Sequence, residues 1–268
     1  MEYSIGEVSR ILNVSKDMIR YYEKQGAIFA SRNQKNNYRS YNTMEVFWLL
    51  EALQHKSWGI PIKGIIDIRK NRFEQNTDEF LKEEIERLNE ELSYKQVLSK
   101  RLEQVREQIA FGKYNVGNFW VKRIPAVWRC PLITGHGDDY DRFSITDKES
   151  RIVFNERNTP FFESGLTAYE NRVEWEMTIL NEYADALGLS LKDGFSFTPE
   201  ETALCTHIDI GEVGEFDPGV FEVLPAYAAS RGYNRKDKAP MRGTLIGRGY
   251  DNGRFHRIVR LYLPIEDA

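Results

Sequence analysis

Near the N-terminus apolar positions recur three and four residues apart. Val8, Ile11 and Leu12 follow Ser4-Ile5-Gly6-Glu7, a capping box in which Ser4 satisfies an early backbone N–H and Glu7 reaches back, so a short first helix is expected. Asn13-Val14 breaks the pattern. Ser15 is a good N-cap, and Met18, Ile19 and Tyr22 share one face until Gly26 stops a second helix. Two short helices joined by a tight turn make a helix-turn-helix. The polar stretch ASRNQKNNYRSYNT, with Arg32, Lys35 and Arg39, has no buried face and reads as a hairpin loop or wing. Thr43 then caps a third helix carrying Val46, Leu49, Leu50 and Leu53. Pro61 opens a fourth with Ile62, Ile65, Ile66 and Ile68.

From Thr77 to Phe111 the chain turns to Glu, Lys, Arg, Gln and Leu without a proline or glycine, which predicts one long helix. Leu81, Ile85, Leu88, Leu92, then Lys95 and Ser99, then Leu102, Val105 and Ile109 step by fours and threes, the seam of a coiled coil. Such a stripe needs a partner. The same helix of a second subunit, giving a homodimer through an antiparallel or parallel coiled coil, is favoured over packing on the chain's own C-terminal part because the helix exceeds ordinary globular lengths. Gly112 and Gly117 end it.

Beyond Gly117 the texture is of short strand-like runs, KRIPAVWRC, RIVF, ALCTHIDI and RIVRLYLPI, around one helix-like run, RVEWEMTILNEYADALGL. An α+β domain is expected, with Arg257 to Ile265 an interior strand closed by Pro264. The boundaries this predicts are 1–75 for an all-α winged helix-turn-helix, 76–112 for an antiparallel coiled-coil dimerisation helix and 113–268 for the α+β domain.

Charge sharpens the division. Residues 1–75 hold 12 Lys and Arg against 8 Asp and Glu, and the remainder holds 25 against 33, within a net charge of -4. A basic segment suits phosphates, and an acidic one suits cations or solubility. No apolar run reaches membrane-spanning length, and the N-terminus carries an acid where a signal peptide carries basic charge, so a cytoplasmic protein with no membrane partner is expected. Cys130 and Cys205 are far apart and in no metal-ligand spacing, which argues against a disulfide framework and a thiolate metal site. Neither a metal nor a cofactor is expected.

On the second helix Lys16, Arg20 and Lys24 recur every fourth residue as a positive stripe. Tyr21 lies beside it with a hydroxyl for a phosphate, and Tyr22 is shared between surface and core. Tyr38 and Arg39 of the wing reach for phosphates or a groove, and Lys56 precedes SWGIP, where a helix N-terminus can meet a phosphate. In their order, IGEVSRILNVSKDMIRYYEKQGAI, NYRSY and LLEALQHKSWGIPIKGI resemble the DNA-binding domain of the MerR family of bacterial transcription regulators. The following helix resembles that family's dimerisation helix. Asn37 stands where a turn glycine is common, and the stretch after Gly26 lacks the usual proline. The resemblance implies that Lys56 contacts DNA, that two subunits read a pseudo-palindrome in double-stranded promoter DNA, and that activation of RNA polymerase comes from distorting an over-long spacer.

The C-terminal domain resembles the GyrI-like effector domains of the multidrug-sensing branch, through PGVFEVLPAYAAS and RLYLPI, which look like strand patterns of that domain. That implies a lipophilic, cationic small-molecule effector held by aromatic faces and a carboxylate. Candidates are Phe161, Phe162, Glu163, Tyr169 and Trp175 in one short span, with Trp120, Trp128, Tyr140, Tyr183, Tyr227, Tyr250 and Tyr262 elsewhere. The alternative is a GyrI-like hydrolase acting on an electrophilic small molecule, with Glu163 as a base. His55, His136, His207 and His256 form no triad, and GHGDDYD reads as a solvated turn.

Overall fold

The computed structural model describes all residues except 33–37, 71–72, 137–138, 170–171, 215, 217, 237–238 and 267–268, and describes 73–77, 112–114, 134, 136, 139–142 and 218 without their side chains. Lys35, Asn37 and the centre of GHGDDYD therefore lie outside the described residues. Two compact units make up the chain, Met1–Ser93 and Tyr94–Ala268.

The first unit runs β1 (Glu2–Ser4), α1 (Ile5–Leu12), α2 (Lys16–Gln25), β2 (Ser31–Arg32), β3 (Arg39–Asn42), α3 (Thr43–Ser57), α4 (Ile62–Lys70) and the start of α5 (Phe73–Tyr114). The capping box is present: the Glu7 N–H donates to Ser4 Oγ at 3.3 Å and the Ser4 N–H to Glu7 Oε2 at 2.7 Å. Asn13 turns the chain between α1 and α2 at φ 51°, a left-handed conformation that a short polar side chain tolerates. Ser15 caps α2, and Gly26 ends it at φ 80°. Asn42, one residue before the expected Thr43, caps α3. Val8, Ile19, Tyr22, Tyr41, Leu49 and Ile65 close into one core. Strand β3 sits between β1 and β2, with Arg32 opposite Arg39.

The second unit contains the rest of α5, then β4 (Phe119–Ile124), β5 (Val127–His136), β6 (Asp139–Phe143), α6 (Asp147–Val153), β7 (Glu163–Tyr169), β8 (Arg172–Leu180), α7 (Asn181–Ala186), β9 (Ser196–Thr198), β10 (Glu201–Asp209), α8 (Val223–Arg231), β11 (Met241–Asp251) and β12 (Arg254–Pro264). Its antiparallel sheet is ordered β4-β10-β12-β11-β7-β8-β5-β6, with β9 paired to β5. From β12, Val259, Leu261 and Leu263 enter a core shared with Leu204, Trp175 and the α8 residues Leu224 and Ala228. By the alternation of a strand, Arg260 and Tyr262 take the opposite face.

Three segments differ from expectation. RVEWEMTILNEYADALGL is strand β8 followed by the short α7, because Val173, Trp175 and Ile179 are buried at alternate spacing and suit a pleated sheet. RIVF is the last turn of helix α6 with Phe154 as its C-cap, and the helix opens on a capping box of Thr146 and Glu149 that outweighs its β-branched residues. PGVFEVLPAYAAS forms a 3-10 turn and α8 rather than strands, its alanines and Leu224 packing as a helix face.

Candidate nucleic-acid interface and effector cavity

In the first unit, α2 sends Ile19 and Tyr22 into the core and leaves Lys16, Arg20, Tyr21 and Lys24 exposed. The two tyrosines separate sharply: Tyr21 is 48 % exposed and Tyr22 4 %, their rings edge to face at 5.6 Å. Burial raises the Tyr22 phenol pKa, with a further contribution from Tyr21. Arg20 pairs with Asp17 at 2.8 Å, but both side chains are largely solvent-exposed. Such a pair is worth at most about 1 kcal/mol, so it orients the guanidinium without withholding it from a phosphate.

The hairpin is tied to α2. Arg39 Nε donates to Glu23 at 3.2 Å, and the Tyr41 hydroxyl donates to the same carboxylate at 3.1 Å. Burial, followed by the charge of Glu23, pushes the Tyr41 phenol up to about 12, so it remains a donor. Glu23 thus fixes the hairpin base against the helix that carries the basic stripe. Tyr38 stands 74 % exposed beside Arg39, and Lys56 is exposed near the C-terminus of α3.

In the second unit, the polar face of the sheet and the last turns of α5 enclose a cavity of about 600 Å³. Gln104, Gln108 and Phe111 of α5 form one wall; Trp120, Lys122, Arg129, Glu163, Arg260 and Tyr262 come from the strands. Phe111 and Trp120 meet edge to face at 5.1 Å. Behind the wall, Arg129 donates to Glu176 Oε2 at 2.8 Å, to Thr198 Oγ1 at 3.1 Å and to the Tyr262 hydroxyl. Arg101 pairs with Glu163 at 2.7 Å, both nearly buried, and Lys100 pairs with Glu182 at 2.6 Å. Burial raises the Tyr262 pKa against the opposing pull of Arg129.

Of the sequence-predicted ligand residues, the cavity gathers Trp120, Glu163 and Tyr262. Phe161, Phe162 and Tyr183 lie instead in a buried cluster with Val153 and Ile179, against which Trp128 packs. Trp175 belongs to the main core. Tyr227 stacks on Phe119 at 3.9 Å, Tyr169 is exposed with Arg172 over its ring, and Tyr250 lines a separate cavity of about 580 Å³ beside His256. The Tyr140 side chain lies outside the described residues. Sequence reading passed over Lys122, Arg129 and Arg260. The signal for Arg260 was present in RIVRLYLPI, whose alternation sets Arg260 and Tyr262 against Val259 and Leu261.

A helix-turn-helix with a basic exposed face, joined through a long helix to a sheet that holds an aromatic cavity, defines a DNA-binding protein with a separate ligand-sized compartment. Residues 4–41 match the family described as MerR family regulatory protein, so the N-terminal unit carries a helix-turn-helix of the MerR type. No curated protein matches the chain at a significant level. Among solved structures, the EcmrR–DNA complex within an open RNA polymerase complex is 17% identical over 99% of this chain and 100% of its own, with a TM-score of 0.35. A hydrolase of Listeria innocua is 9% identical over 57% of this chain and 94% of its own, with a TM-score of 0.35. SAV2435, solved bound to tetraphenylphosphonium, is 9% identical over 56% of this chain and 94% of its own, with a TM-score of 0.32. Likeness of this size assigns no role to any residue here. No helix among the described residues is long and apolar enough to cross a membrane.

Proposed function

We propose that this protein is a ligand-responsive transcription regulator that binds promoter DNA through α2 and the β2–β3 hairpin, and an organic effector in the cavity of the second unit. The observation that carries this reading is the division of labour on α2, which buries Ile19 and Tyr22 while Lys16, Arg20, Tyr21 and Lys24 stay exposed to solvent. In this reading α2 enters the major groove and the hairpin acts as a wing. Tyr38, Arg39 and Lys56 position the protein on phosphates, and Tyr22 contributes from the core by holding α2 in place.

Dimerisation belongs to α5. Ile85, Leu88, Leu92, Leu102 and Ile109 are each half exposed or more, an apolar stripe that an antiparallel coiled coil with a second copy would cover. Two copies would read a pseudo-palindrome and, by distorting an over-long spacer, present the promoter to RNA polymerase. At 3.6 residues per turn, Leu102 lies on roughly the opposite side of α5 from Gln104, Gln108 and Phe111. The same turns therefore face the cavity on one side and the proposed dimer on the other, a direct route from ligand to DNA. The hydrolase reading is less well supported, because Glu163 is ion-paired to Arg101 rather than free to take a proton.

The test is binding of the full chain to the DNA upstream of its own gene across a series of salt concentrations. Arg20→Ala is expected to weaken binding and to lower the slope of log K against log salt by about one. Unchanged affinity and slope would overturn the assignment of α2.

A further inference from the structure

The charges around the cavity do not match a cationic ligand. Three carboxylates reach its wall. Glu163 is taken by Arg101 at 2.7 Å and Glu182 by Lys100 at 2.6 Å, while Glu107 sits exposed at the rim, where solvent screens it. Three cations face them. Arg129 is satisfied by Glu176, Thr198 and Tyr262. Arg260 has no such arrangement: its Nε is buried and has no hydrogen-bond partner among the described residues. Lys122 is solvent-exposed at the cavity mouth with no acidic partner among the described residues, and partial desolvation followed by the charge of Arg260 holds its pKa below the usual lysine value. Two cations that repel each other are the opposite of what a cation-binding site requires.

A buried guanidinium N–H without an acceptor is costly, and an incoming acceptor recovers that cost. Arg260 is the residue best suited to recover it, since a planar guanidinium binds carboxylate, sulfonate or phosphate oxygens in a fork. Around it, Trp120, Phe111 and Tyr262 supply aromatic faces, and Ile124 and Leu180 supply apolar wall. A cavity of about 600 Å³ holds a ligand of several fused rings.

Resting on the reading of this cavity as the effector site, we propose that its ligand is an anionic aromatic compound, with a flat apolar body against Trp120 and Phe111 and an acidic group seated on Arg260 and Lys122. The Arg260 Nε, buried without an acceptor among the described residues, makes charge the main determinant of selection, with shape a looser filter.

The experiment compares three probes with one aromatic body, pyrenebutyrate, pyrenebutanol and pyrenebutylammonium, titrated by fluorescence into the full-length protein. Pyrenebutyrate is expected to bind roughly tenfold to a hundredfold more tightly than the alcohol, the span of a hydrogen bond to a charged group, and the ammonium more weakly still. Arg260→Gln is expected to erase the preference for the anion while leaving the alcohol's affinity in place, and Arg260→Lys to restore part of it. The alcohol serves as the internal check that the variant cavity is still formed. Equal affinity for all three probes, tightest binding of the ammonium, or an anion preference that survives Arg260→Gln would overturn the anionic assignment and leave the effector reading standing. Binding of none of the three would overturn the effector reading and the anionic assignment together.

Discussion

Arg129 donates from Nη1 to Glu176 Oε2 at 2.8 Å, and neither side chain is more than 6 % exposed. Thr167 donates to the other oxygen of the same carboxylate at 2.8 Å. The pair joins β5 to β8 beneath the cavity, where a lone charge has no water to retreat to. Glu176→Leu alone is therefore expected to destabilise the protein by about 3–5 kcal/mol in urea unfolding. Arg129→Met combined with Glu176→Leu should cost less than the two single changes added together, since it strands no charge. Additive losses would show that the two residues act independently.

The neighbouring tyrosines of α2 should part in the same way by chemistry. Tyr22→Ala is expected to cost roughly 3–5 kcal/mol of stability, because it empties a core position. Tyr21→Ala should stay within about 0.5 kcal/mol on stability and still weaken DNA binding, because its ring and hydroxyl face outward. Thermal melts and gel shifts on the same variants separate the two effects. A large stability loss at Tyr21 would contradict its surface role.

Both cysteines are buried. Burial, with the nearby Glu149 and Glu176, pushes the Cys130 thiol up to about 12, and burial pushes Cys205 up to about 11. Neither thiolate forms near neutral pH, so neither should react with a thiol reagent in the native protein, and both should react once it is unfolded. Rapid modification of either in native buffer would contradict this.

Asp209 carries a pH signature. Burial raises its pKa, but the hydrogen bonds from His256 at 2.5 Å and from the Gly211 and Arg257 N–H groups outweigh burial and hold it below its ordinary value of 3.8. The folded pKa lies under the unfolded one. The carboxylate therefore stabilises the fold fully above the unfolded value and loses that contribution as pH falls through the folded one. Stability against urea followed down through this acid window should drop less steeply for Asp209→Asn than for the parent. Equal slopes would place the acid sensitivity elsewhere.

Much of the first unit was legible because local chemistry and tertiary packing agree there. Ser4 with Glu7, Ser15 and Gly26 each mark a helix end by hydrogen-bond geometry alone, and the apolar spacing between them is helical. The second unit was harder. Val173, Trp175 and Ile179 fit a strand, yet they run directly into Asn181–Ala186, and a single window over both reads as a helix. Aromatic content does not by itself say which side chains line a cavity: Phe161 and Tyr183 are large enough to serve a pocket and are used to fill a core. The residues that give the cavity its charge, Arg129 and Arg260, come from β5 and β12, distant in sequence and with three strands between them in the sheet order, and no local pattern pairs them.

The proposed coupling makes occupancy of the cavity change what α2 does on DNA. Its most direct test is protection and transcription of the DNA upstream of the protein's own gene, measured with and without a compound already shown to bind the cavity. The expected result is protection of a pseudo-palindrome that disappears with Arg20→Ala, and a transcript level that changes when the compound is added. Protection with transcription indifferent to a bound compound would contradict the coupling, and the absence of protection would contradict the DNA-binding assignment itself.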